Sequence, residues 1–252
     1  MTVNRRAKTR RLDLLLFERN LADSREKAQA LILAGKVKID GQTADKPGRS
    51  VSPEARIDVD EPLKYVSRGG FKLEAAINGF KVDVKGRVCM DVGTSTGGFT
   101  DCLLQHGAAR VHAVDTGAGQ IAWKLRSDPR VALHEDVNAR YLKFDEIGEL
   151  VDVIACDVSF ISVTLLVPAL AALLAPQGDW LILVKPQFEA GREFIGKGGV
   201  VRNPAVHRMA CDKVASALEA AGFSVELMES PILGAEGNRE FLLHAHGGRR
   251  QA

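Results

Sequence analysis

Cysteine is scarce in this sequence, and what there is does not cluster. Cys89, Cys102, Cys156 and Cys211 are the only four in 252 residues. They stand far apart, with no Cys-x-x-Cys pair and no Cys/His group at metal-ligand spacing. Each reads as a small buried apolar residue in a reducing compartment, so neither a disulfide framework nor a structural zinc or other metal is expected. Long hydrophobic runs are missing too. The longest, such as Leu165 to Ala175, are too short to span a bilayer, and the opening Met-Thr-Val-Asn-Arg-Arg has no apolar signal segment, so a cytoplasmic protein is expected. There is no internal repeat and no low-complexity tract. With 46% hydrophobic and 26% charged residues, the composition suits a soluble globular protein with one sizeable core and a small accessory domain.

The net charge is only +2, but it is unevenly spread. Residues 1–60 hold 13 Lys/Arg against 9 Asp/Glu, and the remainder holds 21 against 23. Within the front, Arg5, Arg6, Lys8, Arg10 and Arg11 form a run without an acid, which either contacts phosphates or is a solvated tail.

Local patterns divide the chain near residue 62. Leu12, Leu15 and Leu16 space out a short amphipathic helix, and Asp23 or Ser24 caps a second whose apolar face is Ala28, Leu31 and Ile32, ended by Gly35. A strand follows at Lys36–Ile39, then the turn pair Asp40-Gly41, a Pro/Gly/Ser-rich stretch and a strand at Arg56–Val59. With Arg11-Leu-Asp13, Ser24-Arg-Glu-Lys-Ala28, Gly35-Lys-Val37 and Asp40-Gly41, this helix-helix-hairpin resembles the S-four-type RNA-binding domain, a small α+β module. The resemblance implies RNA-backbone contacts at Arg11, Arg25, Lys27, Lys36 and Lys38; the alternative is an ordinary solvated helical face.

From residue 63 to residue 252 strand-like and helical runs alternate. Strands are expected at Arg87–Asp91, Arg110–Asp115, Val131–Leu133, Val151–Asp157, Asp179–Val184, Ser224–Met228 and Glu240–His244. Helices are expected at Gly98–His106, Ala118–Arg126, Val163–Leu174 and Pro204–Ala221. Such alternation predicts an α/β fold, a mainly parallel seven-stranded sheet covered by helices on both faces, and it suits the Rossmann-like class I methyltransferase architecture.

After the first of these strands comes Asp91-Val-Gly93-Thr94-Ser95-Thr96-Gly97-Gly98-Phe99-Thr100. A glycine-rich turn at a strand's end lets a ligand approach the backbone, and the helix behind it presents free N–H groups. The spacing departs from the GxGxxG dinucleotide fingerprint and looks like an S-adenosylmethionine loop. Asp115 ends the second strand, where a carboxylate can accept from ribose hydroxyls, and Asp136-Val137 follows the third, where adenine is contacted in methyltransferases of this class. Gly117-Ala-Gly119-Gln-Ile-Ala122 also fits GxGxxA, but it follows the second strand and does not make a dinucleotide site.

Five segments carry a more specific resemblance. They are Tyr65-Val-Ser-Arg-Gly-Gly-Phe-Lys72-Leu, the Asp91 loop, Asp157-Val-Ser-Phe-Ile-Ser, Leu183-Val-Lys185-Pro-Gln-Phe-Glu and Gly237-Asn-Arg-Glu240-Phe. Together they resemble the TlyA (hemolysin A) family of bacterial rRNA 2′-O-methyltransferases, which have an FtsJ-like catalytic fold. The resemblance implies S-adenosylmethionine as cofactor, ribosomal RNA or assembled subunits as partner, and a catalytic Lys-Asp-Lys-Glu tetrad at Lys72, Asp157, Lys185 and Glu240. Asp157 would also face the cofactor, and Arg68 would contact cofactor or phosphate.

A ribose 2′-hydroxyl is a poor nucleophile, so lysines near its oxygen would stabilise the developing alkoxide. Asp157 and Lys185 close the fourth and fifth strands, at the edge where open α/β sheets bind ligands. Taken singly, each of the four reads as a cap or surface charge. The Gly191–Arg202 loop, basic and rich in glycine, either closes over the target or is a plain flexible loop. A monomer that engages no membrane is expected. The rival classes are a non-catalytic RNA-binding protein and a membrane-active hemolysin.

Overall fold

The computed structural model describes residues 9–22, 24–59 and 64–247. Arg5, Arg6 and Lys8 of the basic run, and Asp23 as an alternative cap, lie outside the described residues. The chain divides into two compact units, residues 1–62 and 63–252.

In the first unit the helices are Leu12–Glu18 and Arg25–Leu33. Ser24 caps the second, its hydroxyl accepting from the Lys27 amide at 3.1 Å. At the other end Gly35 takes φ +67°, so that its own N–H reaches Ile32 O and that of Lys36 reaches Leu31 O. Asp40 and Gly41, with φ +49° and +83°, make the two-residue turn whose twist suits a hairpin. That turn joins Val37–Ile39 to Gln42–Ala44, a strand too short and polar to show in the sequence, and Ile57–Val59 pairs on the other side. Leu12, Leu16, Ala28, Ile32, Val37 and Ala44 are fully buried and form its core.

One charge is buried with them. Asp13 has no exposed surface; its carboxylate accepts from Arg11 Nε and Nη2 at 3.0 Å, Arg25 Nε at 3.0 Å and Gln29 Nε2 at 2.9 Å. The Arg11 hydrogen bonds hold the carboxyl well below the usual carboxylate range, against the opposing effect of burial.

The second unit is built on seven strands: β1 Val88–Val92, β2 Arg110–Val114, β3 Val131–His134, β4 Val151–Cys156, β5 Leu174–Val184, β6 Ser224–Glu229 and β7 Phe241–His246. Their spatial order is β6-β7-β5-β4-β1-β2-β3. Only β7 runs antiparallel to its neighbours. The helices are α1 Gly69–Phe80, α2 Gly98–Gln105, α3 Trp123–Arg126, α4 Phe144–Ile147, α5 Val167–Leu173, α6 Pro186–Glu189 and α7 Pro204–Ala220. Successive strand residues serve opposite faces. Cys89, Val153 and Leu181 pack under Leu73 and Ile77 of α1 and Leu103 of α2, while Met90, Ile154 and Ile182 pack under Leu170 of α5 and Val214 and Leu218 of α7. All four cysteines are buried in these layers. No helix among the described residues is long and apolar enough to cross a membrane.

Two expected helices are shorter than their sequence pattern. The run at 118–126 is helical only from Trp123, because Gly119 has φ +73° and Ala122 is extended. The run at 163–174 breaks into a 3-10 turn, Val163–Leu165, and then α5, and Leu174 already belongs to β5. The register of β5 against β4 shifts between Leu174 and Asp179, across Pro176 and Gly178, and regular pairing starts at Asp179.

Replacing Asp13 by Asn removes the charge that organises Arg11 and Arg25. The expected loss is about 2 kcal/mol of local stability, the scale of hydrogen bonds to a charged group. Hydrogen exchange in the full chain should then speed up by roughly 30-fold over residues 12–33 and stay unchanged in β1 and β4. Equal protection in both proteins would rule out this role.

Candidate active site

The loop from Asp91 to Thr100 is fastened from three directions. Asp157, just beyond β4, donates its amide to Val92 O at 2.9 Å, and the Gly93 amide reaches Val114 O at 2.9 Å. Asp115 accepts from the Ser95 amide and from the Gly117 amide, both at 2.7 Å. Gly93 has φ +87°, and a Cβ placed on it would lie 2.4 Å from Asp157 O, so only glycine allows β1 and β4 to meet here. At Gly97, with φ +94°, a Cβ would strike Leu125.

A cavity of about 460 Å3 opens beside this loop at the carboxyl ends of β1, β2 and β4. Of the expected cofactor residues, Gly93, Ser95, Asp115, Val137 and Asp157 line it. Asp136, exposed with φ +58°, turns the chain so that Val137 lines the wall instead. Thr94 is buried and donates to Asp91 O at 3.1 Å; Gly97, Gly98 and Phe99 are buried at the start of α2; Thr96 is exposed. None of these five is among the lining residues.

Asp91 is not a lining residue either. It is wholly buried, and its Oδ2 accepts from the Thr100 amide at 2.9 Å and the Thr100 hydroxyl at 2.6 Å, which ties the loop to α2. Its Oδ1 has no hydrogen-bond partner among the described residues. Burial, with smaller contributions from Asp157 and Asp115, pushes the carboxyl up to about 7 against the pull of the Thr100 bonds.

The four residues of the expected tetrad stand as two ion pairs. Lys185 Nζ lies 2.6 Å from Asp157 Oδ1, and its directed hydrogen bond goes to Ser159 Oγ at 2.9 Å. Lys72, on α1, pairs with Glu240, and both side chains are almost fully buried. Val184 faces Phe241 across β5 and β7, so Lys185 and Glu240 are the next residues beyond that pair, at the same edge of the sheet. Of the four, Asp157 alone lines the cavity; both pairs stand at the carboxyl edge of the parallel strands.

The expected RNA contacts are less uniform. Arg11 and Arg25 are each about half exposed and hold Asp13, so part of their hydrogen-bonding capacity serves the fold. Lys27 and Lys36 are exposed, and Lys38 is half-buried on the central strand of its sheet. Arg68 is exposed and donates to Leu233 O at 3.1 Å.

Some residues of the site were not singled out from the sequence. Gln120 lines the cavity from the segment expected to be helical, Thr116 from the turn before it, and Asn138, Ile161 and Leu166 also belong to its wall. Phe160 lines the mouth with φ +66° and 91% of its surface exposed. Glu189 of α6 is buried; it accepts from the Val163 amide at 2.7 Å and from the Ser162 hydroxyl, and pairs with Lys213 at 3.3 Å. It therefore holds the strand-to-helix loop that carries Phe160. Ser159, Phe160 and Glu189 all belong to the two motifs around Asp157 and Lys185, and that was the available signal. The end of the Gly191–Arg202 loop is fastened, since Asn238 bonds the Val201 amide and the Gly199 carbonyl, both at 3.0 Å.

The family model for FtsJ-like methyltransferase matches residues 65–246, the span that contains this whole site, and that for the S4 domain matches residues 10–57. The chain belongs to the FtsJ-like methyltransferase family. It is 49% identical over 243 residues to YqxC of Bacillus subtilis, whose name assigns it to the rRNA methyltransferases, covering 95% of this chain and 86% of that one. It is 45% identical over 240 residues to the 16S/23S rRNA (cytidine-2′-O)-methyltransferase TlyA of Mycobacterium tuberculosis, covering 94% and 90%. A solved structure from Streptococcus thermophilus that carries the name hemolysin matches with a TM-score of 0.72 at 43% identity, covering 95% of this chain and 89% of that one.

The buried acid of this FtsJ-like domain gives stability a definite pH dependence. Unfolded, Asp91 titrates near the ordinary value of about 4; folded, near 7. Between those values the folded state keeps a proton that the unfolded state has lost, so stability falls as pH rises and levels off above 7. Asp91→Asn cannot titrate. Its thermal midpoint relative to the wild type should climb from pH 4 to pH 7 and then flatten; a difference independent of pH would contradict the assignment.

Proposed function

We propose that this chain transfers a methyl group from S-adenosylmethionine to a ribose 2′-hydroxyl of ribosomal RNA, with cytidine as the nucleoside. The observation that carries the reading is the pair of lysine–carboxylate contacts, Lys185–Asp157 and Lys72–Glu240, at the sheet edge where the cavity opens, with Asp157 and Gly93 in the cavity wall. The family membership and the names of the relatives support the substrate class, and the S4 match supports RNA binding.

The residues present fit the cofactor. Gly93 lines the cavity where β1 meets β4, and Asp115 offers a carboxylate in the same wall for ribose hydroxyls. Val114, Val137, Ile161 and Leu166 form an apolar wall suited to a flat base. When bound, S-adenosylmethionine supplies a methyl group already activated by its positive sulfur. The protein's task is then alignment and the fate of one proton.

Lys185 is paired with Asp157 and donates one hydrogen bond to Ser159, which leaves donor capacity for the ribose 2′-oxygen. As an ammonium it stabilises the oxygen as negative charge develops; to take the proton it must first lose one of its own, so that the neutral amine's lone pair meets the attacking hydroxyl. Asp157 orients Lys185 and borders the cavity. Lys72, fixed by Glu240, adds a second positive charge at the same edge. Phe160, held out by its left-handed backbone, offers a ring face on which an unstacked base can lie. Lys27, Lys36 and Lys38, with Arg11, Arg25 and Arg68, supply positive charge for the RNA backbone.

Lys185→Ala should lower single-turnover methylation of ribosomal subunits by at least about 10²-fold with little change in binding, since the lost charge acts mainly in the transition state. Lys185→Arg distinguishes the two roles: an arginine keeps the charge but does not readily give up a proton, so activity restored by arginine assigns Lys185 to charge stabilisation alone. Near-normal turnover in the alanine variant, with folding and cofactor binding verified, defeats the mechanism.

Replacing Lys27 and Lys36 together by Glu should weaken rRNA binding and reduce the salt dependence of the affinity by about one unit of slope per lost phosphate contact. S-adenosylmethionine binding, measured by calorimetry, should not change. An unaltered salt slope would remove these lysines from the interface.

A further inference from the structure

We propose that Glu226, His244 and His246 form a three-ligand site for a divalent transition metal, zinc by its donor set, that clamps the edge strand β6 to β7. His244 and His246 are two apart on β7 and so share a face of the sheet, and Glu226 lies directly across from His244 on β6. One ligand atom from each of the three lies within 4.8 Å of the other two. His246 Nε2 stands 3.5 Å from a Glu226 carboxylate oxygen, and the two imidazoles stack with centroids 4.9 Å apart.

The second observation is the state of His244. The residue is 95% buried, yet Nδ1 has no hydrogen-bond partner among the described residues. Nε2 is already engaged, 2.8 Å from Asp179 Oδ1, and Asp179 is itself held by Arg87 Nη1 at 2.6 Å. A buried ring nitrogen without a partner is costly and calls for an explanation. A carboxylate on one imidazole nitrogen, with the other left bare, is the arrangement that orients a histidine for a metal and raises its basicity as a ligand. In this arrangement Nδ1 is the nitrogen that meets the ion.

Two imidazoles and one carboxylate suit zinc, which takes mixed nitrogen and oxygen ligands in a tetrahedron, whereas magnesium and calcium demand mostly oxygen. Three protein ligands leave the fourth position to water. The partial exposure of Glu226 and His246 gives the ion a way in. Since β7 is antiparallel, its far end, His246 opposite Asp179, lies at the amino end of β5 and away from Lys185 and Glu240. The site is therefore structural. It braces β6, which has only β7 as a neighbour in the sheet.

The test uses the full chain without a polyhistidine tag, titrated with zinc chloride by calorimetry and by thermal melting. The expected result is one zinc per chain and a raised thermal midpoint, with magnesium chloride giving neither. Glu226→Gln and His246→Ala, both at partly exposed positions, should leave the metal-free midpoint unchanged and weaken zinc binding at least tenfold. Asp179→Asn should weaken it by about 10- to 100-fold through the orientation of His244. Absence of stoichiometric zinc binding, or zinc binding that the Glu226 and His246 substitutions leave intact, overturns the proposal.

Discussion

The meeting of β1 and β4 at Gly93 and Asp157 is the constraint on which the site depends. The Asp157 amide bonds Val92, and its carbonyl lies where a Cβ on residue 93 would have to be. The loop that floors the cavity and the strand end that carries Asp157 are therefore one rigid junction. Movement of either would displace the other, so the distance from the cavity floor to Lys185 follows from backbone packing. Asp115 extends the junction to β2 by accepting from the Ser95 amide, and Asp91 extends it to α2 through Thr100. Such preorganisation is what alignment-driven chemistry requires.

Buried charge accompanies each part of this arrangement, and its environments differ. Asp13 has three charged or polar donors and stays ionised. Asp91 has only threonine donors on one oxygen and tends toward the protonated form at neutral pH. Lys72 and Glu240 neutralise one another inside the fold. A buried ion pair is a weak source of stability because desolvation offsets the attraction, so its presence here is better explained by where it holds a lysine than by the strength it adds. The same reasoning covers Glu189, whose carboxylate secures the loop of Phe160 while Lys213 balances its charge.

Much of this is legible in the sequence where one residue type has one physical use. The Gly93–Gly98 turn, a helix cap at Asp23 or Ser24 and the Asp40-Gly41 hairpin could be read directly, because positive φ and capping leave few alternatives. The alternation of strands and helices showed the sheet and put Asp157 and Lys185 at its carboxyl edge. Longer-range consequences could not be read. Gln120 borders the cavity where Gly119 and Ala122 unwind what looks like a helix. Arg11 and Arg25 are expected only as RNA-backbone contacts until Asp13 is seen to be buried between them. Pairing of Lys72 with Glu240 spans most of the chain and has no local signature at all.

The antiparallel strand β7 explains why these long-range pairings occur. Inserted between β5 and β6, it begins at the carboxyl edge of the parallel strands and ends at their amino edge. Its first neighbour in sequence, Glu240, is thereby delivered to Lys72 at the carboxyl edge of the parallel strands, although every parallel strand delivers its last residue there instead. Its other end carries His244 and His246 back to Asp179 and Glu226. Had β7 run parallel, Glu240 would lie at the opposite edge from Lys72, which would leave a buried lysine without its counter-charge. One reversal of strand direction thus sets both the closing member of the lysine–carboxylate cluster and the histidine pair at the far end of the sheet.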